Sequence, residues 1–299
     1  MSRWQAAAFV YRFPSSVRGI ETVSVHGSPS RRWTELHETF TVCTVEWGAP
    51  VSYRCRGNRH ERSPRVGMLL GPDDLHADAS LPGHSVYRIL RIDPHALARM
   101  AKALGLPFAN LAVKEREITS VIVNELFLRL HRAIETDGES TRVASLVDRC
   151  VAEIVWRCRT RTLGERTEIR HAREHIRATL WEPTPLDRIA RAAGKSKWHL
   201  STLFRNHVAI SPCKYAMHVR LARARAWLAT GRSCSSIASD AGFCDQSHFS
   251  RWFRSVYGVA PGQYRETLLA SSRPPPLDRS TDRTPRRRVQ SKSARKPAC

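Results

Sequence analysis

The sequence lacks the marks of a membrane or secreted protein. Its apolar stretches are short or interrupted by arginine, and none approaches the roughly 18 residues that a membrane-spanning helix needs. The segment Ala6–Tyr11 is too short for the apolar part of a secretory signal, and its flanks do not fit one. We therefore expect a cytoplasmic chain with no membrane partner.

The sequence also lacks the spacings of common metal and redox sites. None of its eight cysteines forms a C-x-x-C pair, so we expect small buried side chains rather than a zinc or thioredoxin motif. There is no His-x-His pair, and the N-terminal histidines are scattered over His37, His60, His76 and His84. These absences predict no metal, no cofactor and no catalytic residue, and hence a protein that is not an enzyme.

Acidic residues are scarce relative to basic ones. The 27 Asp and Glu stand against 49 Lys and Arg, which gives a formal net charge of +22. A chain this basic usually meets a polyanion, either nucleic acid or an anionic membrane surface. The last segment, 271–299, is rich in Pro, Ser and Arg, and we predict a disordered basic tail that attracts phosphates or has no role.

The remaining chain divides into a β-rich and a helical part. Residues 1–110 contain short β-branched and aromatic runs separated by turn residues, which predict a small sandwich or barrel. The runs are Thr39–Trp47, Val51–Arg56, Val66–Leu70 and Val86–Ile92.

Residues 111–165 carry two helical stripes that predict either an intrachain core or the interface of a homodimer. The first stripe comprises Ile118, Val121, Ile122, Leu126 and Leu130, and the second Val143, Leu146, Val147, Cys150, Val151, Ile154 and Val155.

Residues 166–270 contain a duplicated pattern. Ile-Ala at 189–190 recurs at 237–238, and Gly194 recurs as Gly242, both with an offset of 48 residues. In each copy a short apolar helix, a glycine turn and a capped second helix predict a helix-turn-helix unit. Thr184 and Ser196 are the predicted caps in the first copy and Asp245 is the predicted cap in the second. Between the copies, Cys213–Thr230 predicts a helix of roughly 26 Å, which would place two recognition helices toward successive major grooves.

This part of the chain resembles the DNA-binding domain of the AraC/XylS family of bacterial transcription regulators. The similar strings are PLDRIARAAGKSKWHLSTLFRNHVAISPCKY, RLARARAWL and SSIASDAGFCDQSHFSRWFRSVYGVAPGQYR. Ala209 departs from the glycine usual after the first recognition helix, and Cys244 from a small polar residue. More loosely, Tyr53–Gly57 and Met68–His76 are similar to the cupin-like sensor domain of many members. The expected fold is thus α+β, with a cupin-like barrel over 1–110, a helical linker over 111–165 and an all-α double helix-turn-helix domain over 166–270.

The resemblance places one residue set on the two recognition helices. Arginine can bond guanine, glutamine adenine, and tryptophan or threonine can cover a thymine methyl. For Arg251 a buried structural pair is the alternative role. The predicted DNA-binding residues are Lys197, Trp198, Ser201, Thr202, Arg205, Gln246, Ser247, His248, Ser250, Arg251 and Arg254.

The resemblance further implies double-stranded DNA and RNA polymerase as partners and a small-molecule effector in the barrel mouth. The residues proposed to line that effector site are Trp33, His37, Trp47, Tyr53, Arg54 and His76. We expect a sequence-specific regulator, an activator gated by its N-terminal domain. Two other hypotheses stay open: a non-specific cationic protein that coats DNA, and a barrel enzyme fused to a DNA-targeting module.

Overall fold

The computed structural model describes residues 8–14, 16–27, 33–79, 83–108, 111–136, 138–160, 166–182 and 185–271. The predicted cap Thr184 and residues 272–299 of the predicted tail lie outside these ranges. Within them, an N-terminal β-rich part carries three helices and a C-terminal part is all helical. The strands are β1 (Ala8–Arg12), β2 (Ile20–Gly27), β3 (Thr34–Leu36), β4 (Phe40–Gly48), β5 (Val51–Cys55), β6 (Asn58–Arg62), β7 (Gly67–Leu70), β8 (Leu75–Asp78), β9 (Ser85–Ile92), β10 (Leu111–Val113), β11 (Glu117–Ile118) and β12 (Cys158–Thr160).

The N-terminal strands form two principal antiparallel sheets. One has six strands in the order β1-β2-β9-β4-β7-β11, the other four in the order β3-β8-β5-β6, and β10 and β12 form a separate pair. Inward side chains of both sheets share one core, with Val23, Met68 and Ile89 from the first and Tyr53 and Cys55 from the second. The strand runs predicted from sequence are confirmed, but the described ladders leave two facing sheets and do not confirm a closed barrel.

The helices of the N-terminal part cover the six-stranded sheet. They are α1 (Pro94–Ala103), α2 (Val121–Glu135) and α3 (Ser140–Trp156). Leu126 and Leu130 of α2 and the whole predicted stripe of α3 are buried in one core with the sheet. These stripes therefore form an intrachain core. Val121 and Ile122 are 71% and 79% exposed, so these two residues of the first stripe lie outside the core. Ile118 is buried in strand β11 rather than in a helix, because periodicity does not show where a helix begins.

The C-terminal part contains both predicted helix-turn-helix units. Its helices are α4 (Thr167–Ala178), α5 (Leu186–Ala192), α6 (Lys197–Val208), α7 (Pro212–Trp227), α8 (Cys234–Asp240), α9 (Gln246–Tyr257) and α10 (Pro261–Ser271). The first unit is α5–α6 and the second is α8–α9. Gly194 and Gly242 turn the chain at φ 63° and 70°, which a side chain would oppose. The predicted long helix is α7 followed by a short 3-10 turn at Leu228–Thr230.

A buried ion cluster joins the sheets to the C-terminal helices. The Arg91 guanidinium bonds Glu21 and, at 2.8 Å, Glu35. Glu21 also accepts from Arg225 of α7 at 3.2 Å and from the Tyr264 hydroxyl of α10 at 2.7 Å. Burial raises the pKa of Glu21, but the Arg225 and Arg91 charges outweigh it and hold that pKa below its usual value. The carboxylate is therefore the form that the fold stabilises.

The first recognition helix ends on a strained residue. Ala209 lies at φ 71° and ψ −3°, the left-handed conformation that Gly258 adopts at the corresponding end of α9. A non-glycine residue there carries a cost of roughly 1–2 kcal/mol. The sequence departure at Ala209 thus leaves the helix end in place and adds strain to it.

We expect Ala209→Gly to raise the free energy of unfolding by about 1 kcal/mol, since glycine adopts the left-handed conformation without a clash. The measurement is urea denaturation of the full chain. As a matched control, Ala144→Gly at an exposed position within α3 should lower the free energy by about 1 kcal/mol. Equal losses in the two variants would contradict the assignment of strain.

We expect Glu21→Gln to lower the free energy of unfolding at neutral pH by about 3 kcal/mol or more, because it leaves two buried guanidiniums without their shared carboxylate. The folded pKa of Glu21 is depressed, so its contribution is complete above the ordinary value of 4.5 and is lost as pH falls below it. Denaturation between pH 7 and pH 3 measures both effects. Glu125→Gln, at a part-exposed pair with Arg129, should cost less than about 1 kcal/mol.

Candidate nucleic-acid interface

Helix α6 buries one face and exposes the predicted residues on the other. Leu200, Leu203 and Phe204 pack into the core of the first unit, and Ser196 caps the helix by accepting from the His199 amide at 3.3 Å. On the opposite face Trp198 is 79% exposed. The predicted residues at this face are exposed Lys197, Trp198 and Arg205 and half-buried Ser201 and Thr202.

The two short side chains of α6 differ in what they can offer to a ligand. The Thr202 hydroxyl donates to the Trp198 carbonyl oxygen at 3.1 Å, so it is already engaged in the helix. Its methyl group remains available for apolar contact. Ser201 forms no side-chain hydrogen bond with the described residues. This helix can therefore offer its cations and its indole more readily than paired hydrogen bonds.

Helix α9 repeats the arrangement. Phe249 and Phe253 are fully buried, and Asp245 caps the helix by accepting from the His248 amide at 2.6 Å. The His248 ring accepts from the Cys244 amide at 3.4 Å and meets the Phe243 ring edge-on, so it is tied to the turn. The predicted residues of this helix are exposed Gln246, Ser247, Arg251 and Arg254 and half-buried His248 and Ser250.

The exposed cations of the two helices are not paired with carboxylates of the described residues. Many other arginines are, as Arg62 meets Asp78 at 2.9 Å and Arg88 meets Glu46 at 2.8 Å. Neither α6 nor α9 contains an acidic residue. Within the described ranges, no ion pair is formed by Lys197, Arg205, Arg251 or Arg254. Arg251 is exposed, so the alternative of a buried structural pair is wrong, and these charges face solvent uncompensated.

A clamp that sequence reasoning missed joins the segment after α4 to the turn of the second unit. The Arg220 side chain extends from α7 and donates to the carbonyl oxygens of Leu180 at 2.7 Å and Glu182 at 2.5 Å. It also reaches the Gly242 carbonyl oxygen, in the turn of the second unit, at 3.5 Å. Beside it the Trp181 and Trp227 rings stack at 4.8 Å. No sequence pattern indicates the clamp, since its acceptors are backbone carbonyls.

The predicted effector residues separate into two groups. Trp33, His37 and His76 line a cavity between the sheets, and the buried Tyr53 ring meets His76 at 6.2 Å. Trp47 is 58% exposed against His84, and Arg54 is exposed on β5, so the structure does not bring these two to the cavity. An effector site cannot include all six residues at once.

The cavity between the sheets is small and holds neutral histidines. Its volume is about 20 Å³, room for a water molecule. His37 Nε2 and His76 Nδ1 are 2.8 Å apart. Burial and nearby arginines lower the pKa of His37 to about 3, and burial beside His37 lowers the pKa of His76 well below its usual value. The space therefore suits a hydrogen-bonded core rather than an organic ligand.

Within the described ranges, no group of three or more His, Cys, Asp or Glu side chains is placed to hold a metal ion. No helix in the same ranges is both long enough and apolar enough to cross a membrane.

Comparison with known proteins places the helical part in a family. A family model described as a helix-turn-helix domain matches residues 189–267. The HTH-type transcriptional regulator GbdR of Pseudomonas aeruginosa is 36% identical over 92 residues, which are 30% of this chain and 25% of GbdR. The match thus spans only a quarter of the first curated relative.

Two shorter proteins are covered almost completely. Regulatory protein SoxS of Salmonella typhimurium is 35% identical over 88 residues, 29% of this chain and 82% of SoxS. A solved structure of an AraC-type DNA-binding regulator from Chromobacterium violaceum is 31% identical, with coverage of 34% of this chain and 91% of that chain and a TM-score of 0.33. The chain belongs to the AraC/XylS family of bacterial transcription regulators.

Proposed function

We propose that this protein is a sequence-specific transcription regulator that reads two successive major-groove segments with α6 and α9. The observation that carries the proposal is the pair of acid-free recognition helices, each with a buried inner face and uncompensated cations outside. A recognition helix of this kind enters the major groove with its N-terminal residues at the base edges. Both helices belong to one chain, so two-block readout needs no homodimer.

Chemistry divides the proposed contacts into two kinds. Gln246 and Arg251 can form paired hydrogen bonds with adenine and guanine, and Trp198 can cover a thymine methyl. Arg205 and Arg254 lie toward the C-terminal ends of their helices, where they can hold phosphates. The first kind carries specificity, whereas the second supplies affinity that depends on salt.

The remaining roles follow from the family. We propose that the protein acts in the cytoplasm and activates transcription through contact with RNA polymerase. The N-terminal sheets are packed directly on the helix-turn-helix units, which supports an effector domain that controls them. The basic segment 271–299 would add non-specific phosphate contacts.

Non-specific coating of DNA is the alternative function that a specific observation favours. The net charge of +22 would by itself drive a non-specific coating of DNA. Selection from randomised duplex DNA at near-physiological salt distinguishes sequence-specific readout from non-specific coating. A motif of two short blocks about one helical turn apart supports the proposal. Recovery of no motif, with affinity that only falls as salt rises, would favour coating.

We expect Arg251→Ala and Gln246→Ala each to cost about 1–3 kcal/mol of affinity for the selected operator and to relax the preference at one base pair. Fluorescence anisotropy with the operator and its single-base variants measures both effects. Arg99→Ala removes another exposed arginine, from α1, and should leave affinity unchanged. A loss that is equal on all sequences would show that the altered side chain holds phosphate.

We expect Arg220→Met to weaken the discrimination between operator spacings, because it frees the turn of the second unit from the end of α4. The wild type should bind an operator with one inserted base pair about tenfold less tightly, and the variant should lose most of that difference. Lys214→Met removes an exposed cation from the same helix and should preserve the wild-type difference in affinity between the two operator spacings. Unchanged spacing preference in Arg220→Met would mean that α7 alone fixes the two units.

A further inference from the structure

A cavity lies between the β-rich part and the first helix-turn-helix unit. Its volume is about 200 Å³, ten times that of the cavity between the sheets. One wall is formed by the β5–β6 turn at Arg56 and by Asp73 and Leu75 before and within β8. The other wall is formed by α4 and by His207 and Val208 at the end of α6.

The cavity carries an excess of positive charge. Three guanidiniums line it, those of Arg56, Arg166 and Arg173. The one lining carboxylate, Asp73, is already paired with Arg177. Arg166 is half exposed, and its ion pair with Glu168 is long, at 3.6 Å. Arg56 is paired with Asp74, a carboxylate that Arg116 shares. Guanidiniums therefore outnumber carboxylates around the cavity, and an entering carboxylate would meet the long, half-exposed pair of Arg166, which favours an anionic ligand.

The cavity also has an apolar side. Leu75, Ile169 and Val208 are buried residues whose side chains contribute to its lining. A bare inorganic anion would leave this surface unused, whereas a short hydrocarbon body would cover it. The combination of guanidiniums and aliphatic side chains therefore fits a small organic carboxylate.

Backbone strain is concentrated around the same space. Three non-glycine residues in the described ranges have positive φ, namely Arg56 at 50°, Asp73 at 72° and Ala209 at 71°. The first two line the cavity and the third directly follows Val208. Strained residues of this kind persist where the surrounding structure holds them, and they cluster at ligand clamps.

The cavity walls connect the sheets to a recognition helix. The β5–β6 turn lies so close to α6 that a Cβ on Gly57 would be 3.2 Å from the Asn206 carbonyl oxygen. On the other side Arg173 bonds both the Asp73 carbonyl oxygen and, at 2.8 Å, the Tyr215 hydroxyl of α7. A ligand between these walls would touch both parts of the protein at once.

We infer that this cavity is the effector site and that it binds a small organic carboxylate, which holds the first helix-turn-helix unit against the β-rich part. That the ligand acts as an effector rests on the proposed function, whereas binding of the carboxylate to the cavity does not require DNA. It replaces the sheet interior as the ligand site, because the interface cavity is about ten times larger and is lined by three guanidiniums, against one between the sheets.

The test is thermal unfolding of the full chain with cyclohexanecarboxylate and pentanoate, each against its neutral amide and against inorganic phosphate. We expect a carboxylate at ten times its Kd to raise Tm by about 3 °C or more and its amide to have little effect. If neither carboxylate exceeds its amide, the inference is wrong. A rise with phosphate equal to that with the carboxylates would show that the apolar wall takes no part, which would also overturn it.

Variants locate the site. Arg166→Gln should abolish the Tm rise, whereas Arg170→Gln, one turn along α4 and paired with Glu174, should keep it. His207→Gln is a second cavity variant for the case in which Arg166→Gln unfolds more easily without ligand. A Tm rise that survives both cavity variants would place the ligand elsewhere.

The operator selection keeps this inference separate from the proposed function. Recovery of a two-block motif without any carboxylate effect on Tm would remove the effector site and leave the DNA-binding proposal standing. A carboxylate effect that depends on Arg166, without any recovered motif, would support the site and count against sequence-specific readout.

Discussion

The arrangement of this molecule depends on the buried cluster in which Arg91 and Arg225 share the Glu21 carboxylate. Arg91 belongs to the central strand β9, Glu21 to β2 and Arg225 to α7, so a single carboxylate joins the sheet to the helix that connects both helix-turn-helix units. Removing such charges from water is costly, and only mutual pairing offsets the cost. Helices α7 and α10, which flank the second unit, are therefore docked through contacts that are favourable only when sheet and helices are together.

The recognition helices differ from this cluster, because their proposed function depends on cations that the fold leaves without carboxylate partners. Capping by Ser196 and Asp245 and burial of phenylalanines fix where each helix lies. Their cations then remain without carboxylates among the described residues, where many other arginines are paired. An uncompensated charge needs no ion pair to be broken before it meets a phosphate or a base edge, and the rigid helix needs no ordering of its backbone, which favours recognition.

Local chemistry explains what could be predicted from the sequence. Turn glycines and caps act within a few residues, so the roles of Gly194, Gly242, Ser196 and Asp245 were predictable. The family resemblance then supplied the predicted DNA-binding residues on the two capped helices. The exposure of Trp47 and Arg54 and the small volume of the cavity between the sheets depend on strand pairing and on which residues fill the interior. Alternation of apolar and polar residues does not determine either. The Arg220 clamp and the interface cavity arise from contacts between distant segments, and no local pattern indicates either.

The two units are held by unlike contacts, and the difference decides where control can act. The second unit meets the β-rich part through Tyr11, whose hydroxyl donates to the Tyr257 carbonyl at 2.5 Å, and through Phe9 packed against Gly258. The Glu21 cluster fixes the flanking helices α7 and α10 to the same part. The first unit meets it through Leu36 and Leu75 and through strained turns around an open space. A well-packed, ion-paired contact has one favourable arrangement, whereas a contact with a cavity gains free energy when that cavity is filled. A ligand can therefore shift the first unit most readily, and through α7 and Arg220 the spacing of both recognition helices would follow.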